Sequence, residues 1–162
     1  MSKVKVLFVC LGNICRSPLA EGVFRHLIEQ RKMTHLFDVE SCGTAAFHIG
    51  ELPDKRSVDN ARQNGVNYTH SARQFKQVDH YKFDVILPMD ESNRKDVEAI
   101  KPRDGTARVI KMRYFDVEDK NADVPDPYYG GQQGFQNVYE IVYRSCKRLL
   151  ETLIKQYHLE ND

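Results

Sequence analysis

No apolar run in this 162-residue chain approaches the roughly 20 residues that a membrane-spanning helix needs, so no membrane role is expected. Charge of one sign is also missing. Lys and Arg number 24 against 23 Asp and Glu, a net charge of +1, and basic pairs such as Lys55-Arg56 and Arg94-Lys95 have acidic neighbours. This excludes the one-signed basic face expected of a nucleic-acid binder. Cysteine is sparse, at positions 10, 15, 42 and 146, with no Cys-x-x-Cys pair. That is too few for a disulfide scaffold and wrongly spaced for a zinc site, so a reducing cytoplasm is the expected compartment and no metal or cofactor is expected. Met1-Ser2-Lys3 runs straight into a strand-like segment, so no signal peptide is expected. Repeats, low-complexity tracts and linkers are lacking too. What remains is an ordinary globular composition, 41% apolar and 29% charged, read as one domain over 1–162.

Strand-like and helix-like segments alternate. Val4 to Val9 is an apolar run that predicts a first strand, followed by a helix with Ser17 as N-cap, Pro18 as first helical residue and Glu21 as first-turn anion, running to about Arg31. Alternation over Phe37 to Ser41 predicts a second strand. Asp54 is placed to cap a polar helix that Gly65 ends. Phe83 to Leu87 reads as a third strand, Asp90 as the cap of a helix that stops before Pro102, and Ala107 to Ile110 as a short fourth strand. From Phe135 through Val138, Tyr139, Val142, Cys146, Leu149, Leu150, Leu153, Ile154 and Tyr157, apolar residues keep a 3.6-residue period, which predicts a long helix with a core-facing stripe. This order implies an α/β fold, a parallel sheet with helices on both faces, whose ligand sits at the carboxyl ends of the strands. Cys10, Ser41 and Asp90 fall at such ends. The long loop from about Met112 to Gly134 leaves from the same edge, and loops of that length in compact domains usually carry function.

The chemistry concentrates after the first strand, in Cys10-Leu11-Gly12-Asn13-Ile14-Cys15-Arg16-Ser17-Pro18. A strand that feeds a short loop and then a helix turns backbone N–H groups inward, with the helix dipole behind them. Leu11, Gly12, Asn13, Ile14 and Cys15 would form an anion-sized cup, with the Cys10 thiol at its floor as candidate nucleophile. Positive potential there favours the thiolate. The planar Arg16 fork suits two phosphate oxygens. Ser17, besides capping, is placed to donate to sulfur and make it a better leaving group. The plain alternative for Cys10 is a buried strand end. A phosphocysteine route also needs a general acid, and the long loop offers Asp116, Asp119, Asp123 and Asp126. Asp126 is stiffened between Pro125 and Pro127, and Tyr128 and Tyr129 follow, suited to line a pocket for a phenyl ring.

The segment Val9 to Pro18 resembles the signature of the low-molecular-weight protein tyrosine phosphatases, and Asp126-Pro127-Tyr128-Tyr129 resembles that family's general-acid loop. The likeness continues through Met89-Asp90-Glu91-Ser92-Asn93 and Thr69-His70-Ser71-Ala72-Arg73-Gln74, almost the whole chain. It implies a four-stranded parallel sheet of order 2-1-3-4 in three layers. It also implies Cys10 as nucleophile, Arg16 as transition-state clamp and Asp126 as acid. The resemblance further implies that Asn13 adopts a left-handed conformation pinned by Ser41 and His70, and that Asp90 orients Arg16. In the variable segment Thr44 to Gly50, Phe47 would flank the pocket, beside a less usual His48. Cys15 is either a redox guard that pairs reversibly with Cys10 or a packing residue. The implied substrate is a phosphotyrosine protein or a small aryl phosphate, taken by a monomer or weak dimer.

Two other readings use the same loop. A thioredoxin-coupled arsenate reductase would need relay cysteines near the end of the third strand, and Phe83 to Asp96 contains none. A non-catalytic phosphotyrosine-binding module would be expected to have lost Cys10, Arg16 or Asp126, and all three are present.

Overall fold

The computed structural model describes residues 2–127 and 130–159. Strand β1 (Val4–Cys10) is central, with β2 (Phe37–Gly43) parallel on one side and β3 (Val85–Pro88) parallel on the other. The two-residue β4 (Arg108–Val109) closes the sheet in the order β2-β1-β3-β4. A central strand is covered on both faces, and β1 splits accordingly. Val4, Val6, Phe8 and Cys10 join the larger core with α1 (Arg16–Gln30), α2 (Lys55–Gln63) and α5 (Gly131–Gln156). Leu7 and Val9 join the smaller core with Phe75, Phe83 and Val97 of α4 (Glu91–Ala99). This is why the segment reads as a continuous apolar run. Phe24 of α1 packs between Phe8 and Phe37, at ring-centroid distances of 5.9 and 5.4 Å.

The expected elements are present with shifted bounds. Asp54 and Asp90 cap α2 and α4, accepting from the backbone N–H of Arg56 and Asn93. Gly65 follows α2 with φ +88°. Strand β3 begins at Val85 rather than Phe83, and β4 is shorter than the four residues expected. A short helix, α3 (Asp79–Lys82), and two 3₁₀ turns, Thr34–Leu36 and Met112–Phe115, carry no strong sequence signal. The stripe on α5 is core from Phe135 to Leu153, with Cys146 and Leu149 fully buried, whereas Ile154 is only partly buried and Tyr157 lies past the helix end, 36% exposed. Among the described residues no helix is long and apolar enough to cross a membrane.

Ser17 requires a correction. Helix α1 starts at Arg16 with Cys15 as N-cap and no side-chain cap. The Ser17 hydroxyl lies inside the first turn and turns back to Cys10 instead. Glu21 accordingly lies beyond the first turn, and its carboxylate serves side chains, not the helix end.

Candidate active site

The pleat of β1 sends the Cys10 side chain to the α1 face, and the chain returns through Leu11–Cys15 into that helix. Around the sulfur stand two hydrogen-bonding groups. The Ser17 Oγ lies 2.9 Å from Cys10 Sγ, and the Asn13 backbone N–H donates to it at 3.2 Å. Ser17 accepts from Asn13 Nδ2 at 2.8 Å, and its single proton faces both Cys10 Sγ and the Cys42 carbonyl, the latter at 3.2 Å. A thiolate takes that proton in preference, because charge strengthens the bond.

Asn13 holds the loop. Its φ of +57° is left-handed, and its fully buried amide makes four side-chain bonds. Nδ2 donates to Ser17 and to Ser41 Oγ at 3.1 Å, while Oδ1 accepts from His70 Nε2 at 2.7 Å and from the Arg73 backbone N–H at 3.0 Å. The Arg73 N–H can only donate, which fixes Oδ1 and therefore places a proton on His70 Nε2. His70 Nδ1 faces Glu21 Oε1 at 3.3 Å, and Ser41 donates to the same oxygen at 2.8 Å. Burial lowers the pKa of His70, outweighing the opposite pull of the Glu21 carboxylate. The geometry therefore fixes the proton on Nε2, the one that Asn13 Oδ1 accepts.

Arg16 is 5% exposed, and its Nη1 donates to Asp90 Oδ2 at 2.7 Å and to the Val124 carbonyl at 3.0 Å. Burial works against its charge, but Cys10, Asp90 and Asp126 overcome that and hold its pKa up. Asp126 is an exposed residue of the loop before α5, near enough to bear on both Arg16 and Cys15. Burial first, then Asp54, Cys10 and Asp126, push the Cys15 thiol up to about 12. Burial likewise raises Cys42 and Cys146.

The structure thus brings Cys10, Leu11, Gly12, Asn13, Ile14, Cys15, Arg16, Ser17, Ser41, His70, Asp90 and Asp126 to one edge of the sheet. Phe47 stands at the rim, 74% exposed. The inward position beside it belongs to His48, whose ring edge lies against Gly12 and whose Nδ1 is 2.8 Å from Glu51. Tyr128 and Tyr129 lie outside the described residues.

Three contributors had no strong sequence signal. At Gly43 a Cβ would stand 2.6 Å from the Leu11 carbonyl oxygen, so only glycine lets β2 approach the loop this closely. Arg73 acts through its backbone, and Glu21 read only as a helix-start charge. A cavity of about 510 Å³ between Arg108, Tyr114, Arg148 and Tyr157 at the β4 edge shares none of these groups. Among the described residues no cluster of His, Cys, Asp or Glu is arranged to hold a metal ion.

Comparisons with known proteins agree with this arrangement. Residues 5–159 match the family described as low molecular weight phosphotyrosine protein phosphatase. The Schizosaccharomyces pombe protein of that name is 42% identical over 137 residues, 84% of this chain and 88% of its own. A protein tyrosine phosphatase from Entamoeba histolytica, crystallised with Hepes in the active site, superposes with a TM-score of 0.90 at 34% identity, over 97% of this chain and 100% of its own. A drosophila arginine phosphatase superposes with a TM-score of 0.84 at 32% identity, over 98% and 100%. On a 2-1-3-4 sheet with a thiol at the floor of the loop that follows β1, a match of this extent places the chain in the low molecular weight phosphotyrosine protein phosphatase family.

Proposed function

We propose that Cys10, Arg16 and Asp126 are the catalytic groups of this phosphatase and that a phosphotyrosine protein or small aryl phosphate is its substrate. The observation that carries the assignment is the Cys10 sulfur, at the floor of the loop, with Ser17 Oγ at 2.9 Å and the Asn13 N–H at 3.2 Å. The phosphoryl oxygens sit among the loop N–H groups and the Nε–Nη2 edge of Arg16, since Nη1 is already engaged by Asp90 and Val124. Cys10 attacks phosphorus in line, the aryl P–O bond breaks, and Asp126 gives the departing oxygen its proton. The Asp126 carboxylate then takes a proton from water as it attacks the phosphocysteine, releasing phosphate and the thiolate, to which Ser17 donates. Ser41, His70 and Asp90 hold Asn13 and Arg16, and Phe47 at the rim flanks the aryl group. Hepes is a sulfonate, and its presence in the relative's site supports a tetrahedral-oxyanion pocket here. The enzyme works as one domain in the cytoplasm, as a monomer or weak dimer, consistent with four free cysteines.

The test is turnover of phosphotyrosine peptide, p-nitrophenyl phosphate and phosphoarginine by wild type, Cys10→Ser and Asp126→Asn. Hydrolysis of the two aryl phosphates, vanadate inhibition, no activity in Cys10→Ser and a loss of about 10²–10⁴-fold in Asp126→Asn are expected. Full activity in Cys10→Ser would overturn the mechanism, and a preference for phosphoarginine would overturn the substrate.

A further inference from the structure

The loop that carries Asp126 has no regular secondary structure from Asp116 to Asp126, yet it is bound to the body at several points. Val124 is tied to the site itself, its N–H donating to the Met89 carbonyl at 2.8 Å and its carbonyl accepting from Arg16. A second attachment is buried and lies outside the site. Arg113, in the 3₁₀ turn Met112–Phe115 and 8% exposed, donates from Nε to Asp116 Oδ2 at 2.8 Å and from Nη1 to the Asp123 carbonyl at 3.0 Å. Its Nη2 faces Asp119 at 3.8 Å, and its own carbonyl accepts from the backbone N–H of Asp116 and Asn121. The loop is therefore wrapped around one guanidinium. Asp116, 1% exposed, is gripped from the other side by Arg144 of α5, whose Nε and Nη2 lie 2.8 and 3.1 Å from its oxygens.

Buried ion pairs add little net stability, because desolvation offsets most of the attraction, and apolar packing commonly does as well. What a guanidinium does that apolar packing does not is fix the direction of a carbonyl through a charged, planar donor. Arg113 fixes the carbonyl three residues before Asp126. The carboxylate of a general acid must meet the leaving oxygen within hydrogen-bond reach, so such a constraint bears on rate.

We propose that Arg113, backed by Asp116 and Arg144, is a positioning residue for Asp126 and sets the proton-donation step without touching the substrate. This rests on Asp126 being the general acid. The experiment measures kcat/KM for a series of aryl phosphates running from 2,4-dinitrophenyl phosphate, whose phenolate leaves without a proton, to phenyl phosphate, whose leaving group requires one. Asp126→Asn should lose most on phenyl phosphate and little on the dinitrophenyl ester. Arg113→Met keeps the apolar length of the side chain and should reproduce that slope with a loss on the order of 10- to 100-fold on phenyl phosphate, while vanadate affinity stays at the wild-type value. Arg113→Lys should recover part of the loss. An equal loss across the series in Arg113→Met, or no loss, while Asp126→Asn keeps its slope, would overturn the positioning role and leave the acid intact. A flat series in Asp126→Asn would remove the acid assignment and this proposal with it. Should Arg113→Met fail to fold, Arg144→Gln withdraws only the outer grip on Asp116. It should give a smaller loss of the same slope, and a flat response there overturns the proposal equally.

Discussion

Asn13 shows how the loop affords an unfavourable backbone. A left-handed φ costs an ordinary L-residue roughly 1–2 kcal/mol, less for asparagine, whereas each of its four buried side-chain bonds contributes about 0.5–1.5 kcal/mol. The bonds win, and the strain points the Asn13 N–H at sulfur. Asn13→Ala removes all four and keeps the disfavoured φ. The loop should relax, and kcat/KM on p-nitrophenyl phosphate should fall by roughly 10²-fold, which steady-state kinetics beside a circular dichroism control will register. Wild-type turnover in that variant would show that the loop holds its shape without Asn13.

Element by element, what was legible in the sequence and what was not divides along physical lines. Apolar patterning and caps have local causes, so β1, α5, Asp54 and Asp90 could be read directly. Ser17 was half legible: its contact with the Cys10 sulfur was expected and is there, while the cap is not formed, because the approach of Cys10 and Cys42 engages the hydroxyl. Gly43, Glu21 and Arg73 were silent because their roles depend on contacts between segments far apart in the chain. The two flanking prolines favoured Asp126 among the four loop aspartates, and the resemblance strengthened that choice. Asp116 and Asp123 turn out to hold the loop, through Arg113 and Lys111. Helix α5 matters to this arrangement as the wall on which α1 rests. Leu149, fully buried in the larger core, tests that wall. Leu149→Ala should cost about 2–5 kcal/mol of unfolding free energy in a urea titration. A loss under about 1 kcal/mol would mean that the cavity collapses and the wall is not tightly packed.

Across the whole molecule, acid sensitivity follows from where carboxylates are held. Burial opposes the charge of Asp116, but Arg144, the Glu118 N–H and Arg113 outweigh it and bring its pKa down to about 2. The unfolded value is about 4, so between the two the folded state binds fewer protons than the unfolded one. Its stabilising contribution is therefore complete above about pH 4 and is lost as pH falls toward 2. Thermal unfolding followed from pH 6 to pH 2 should show wild type and Asp116→Asn converging over that window, and a constant gap between them would contradict the assignment. The engagement of Arg16 by Asp90 and the Val124 carbonyl carries one more consequence. An arginine already in place needs no ligand to recruit it, so the cup is set before any phosphoryl group arrives. Free phosphate would meet the same donors in the same order, with no rearrangement between product and substrate.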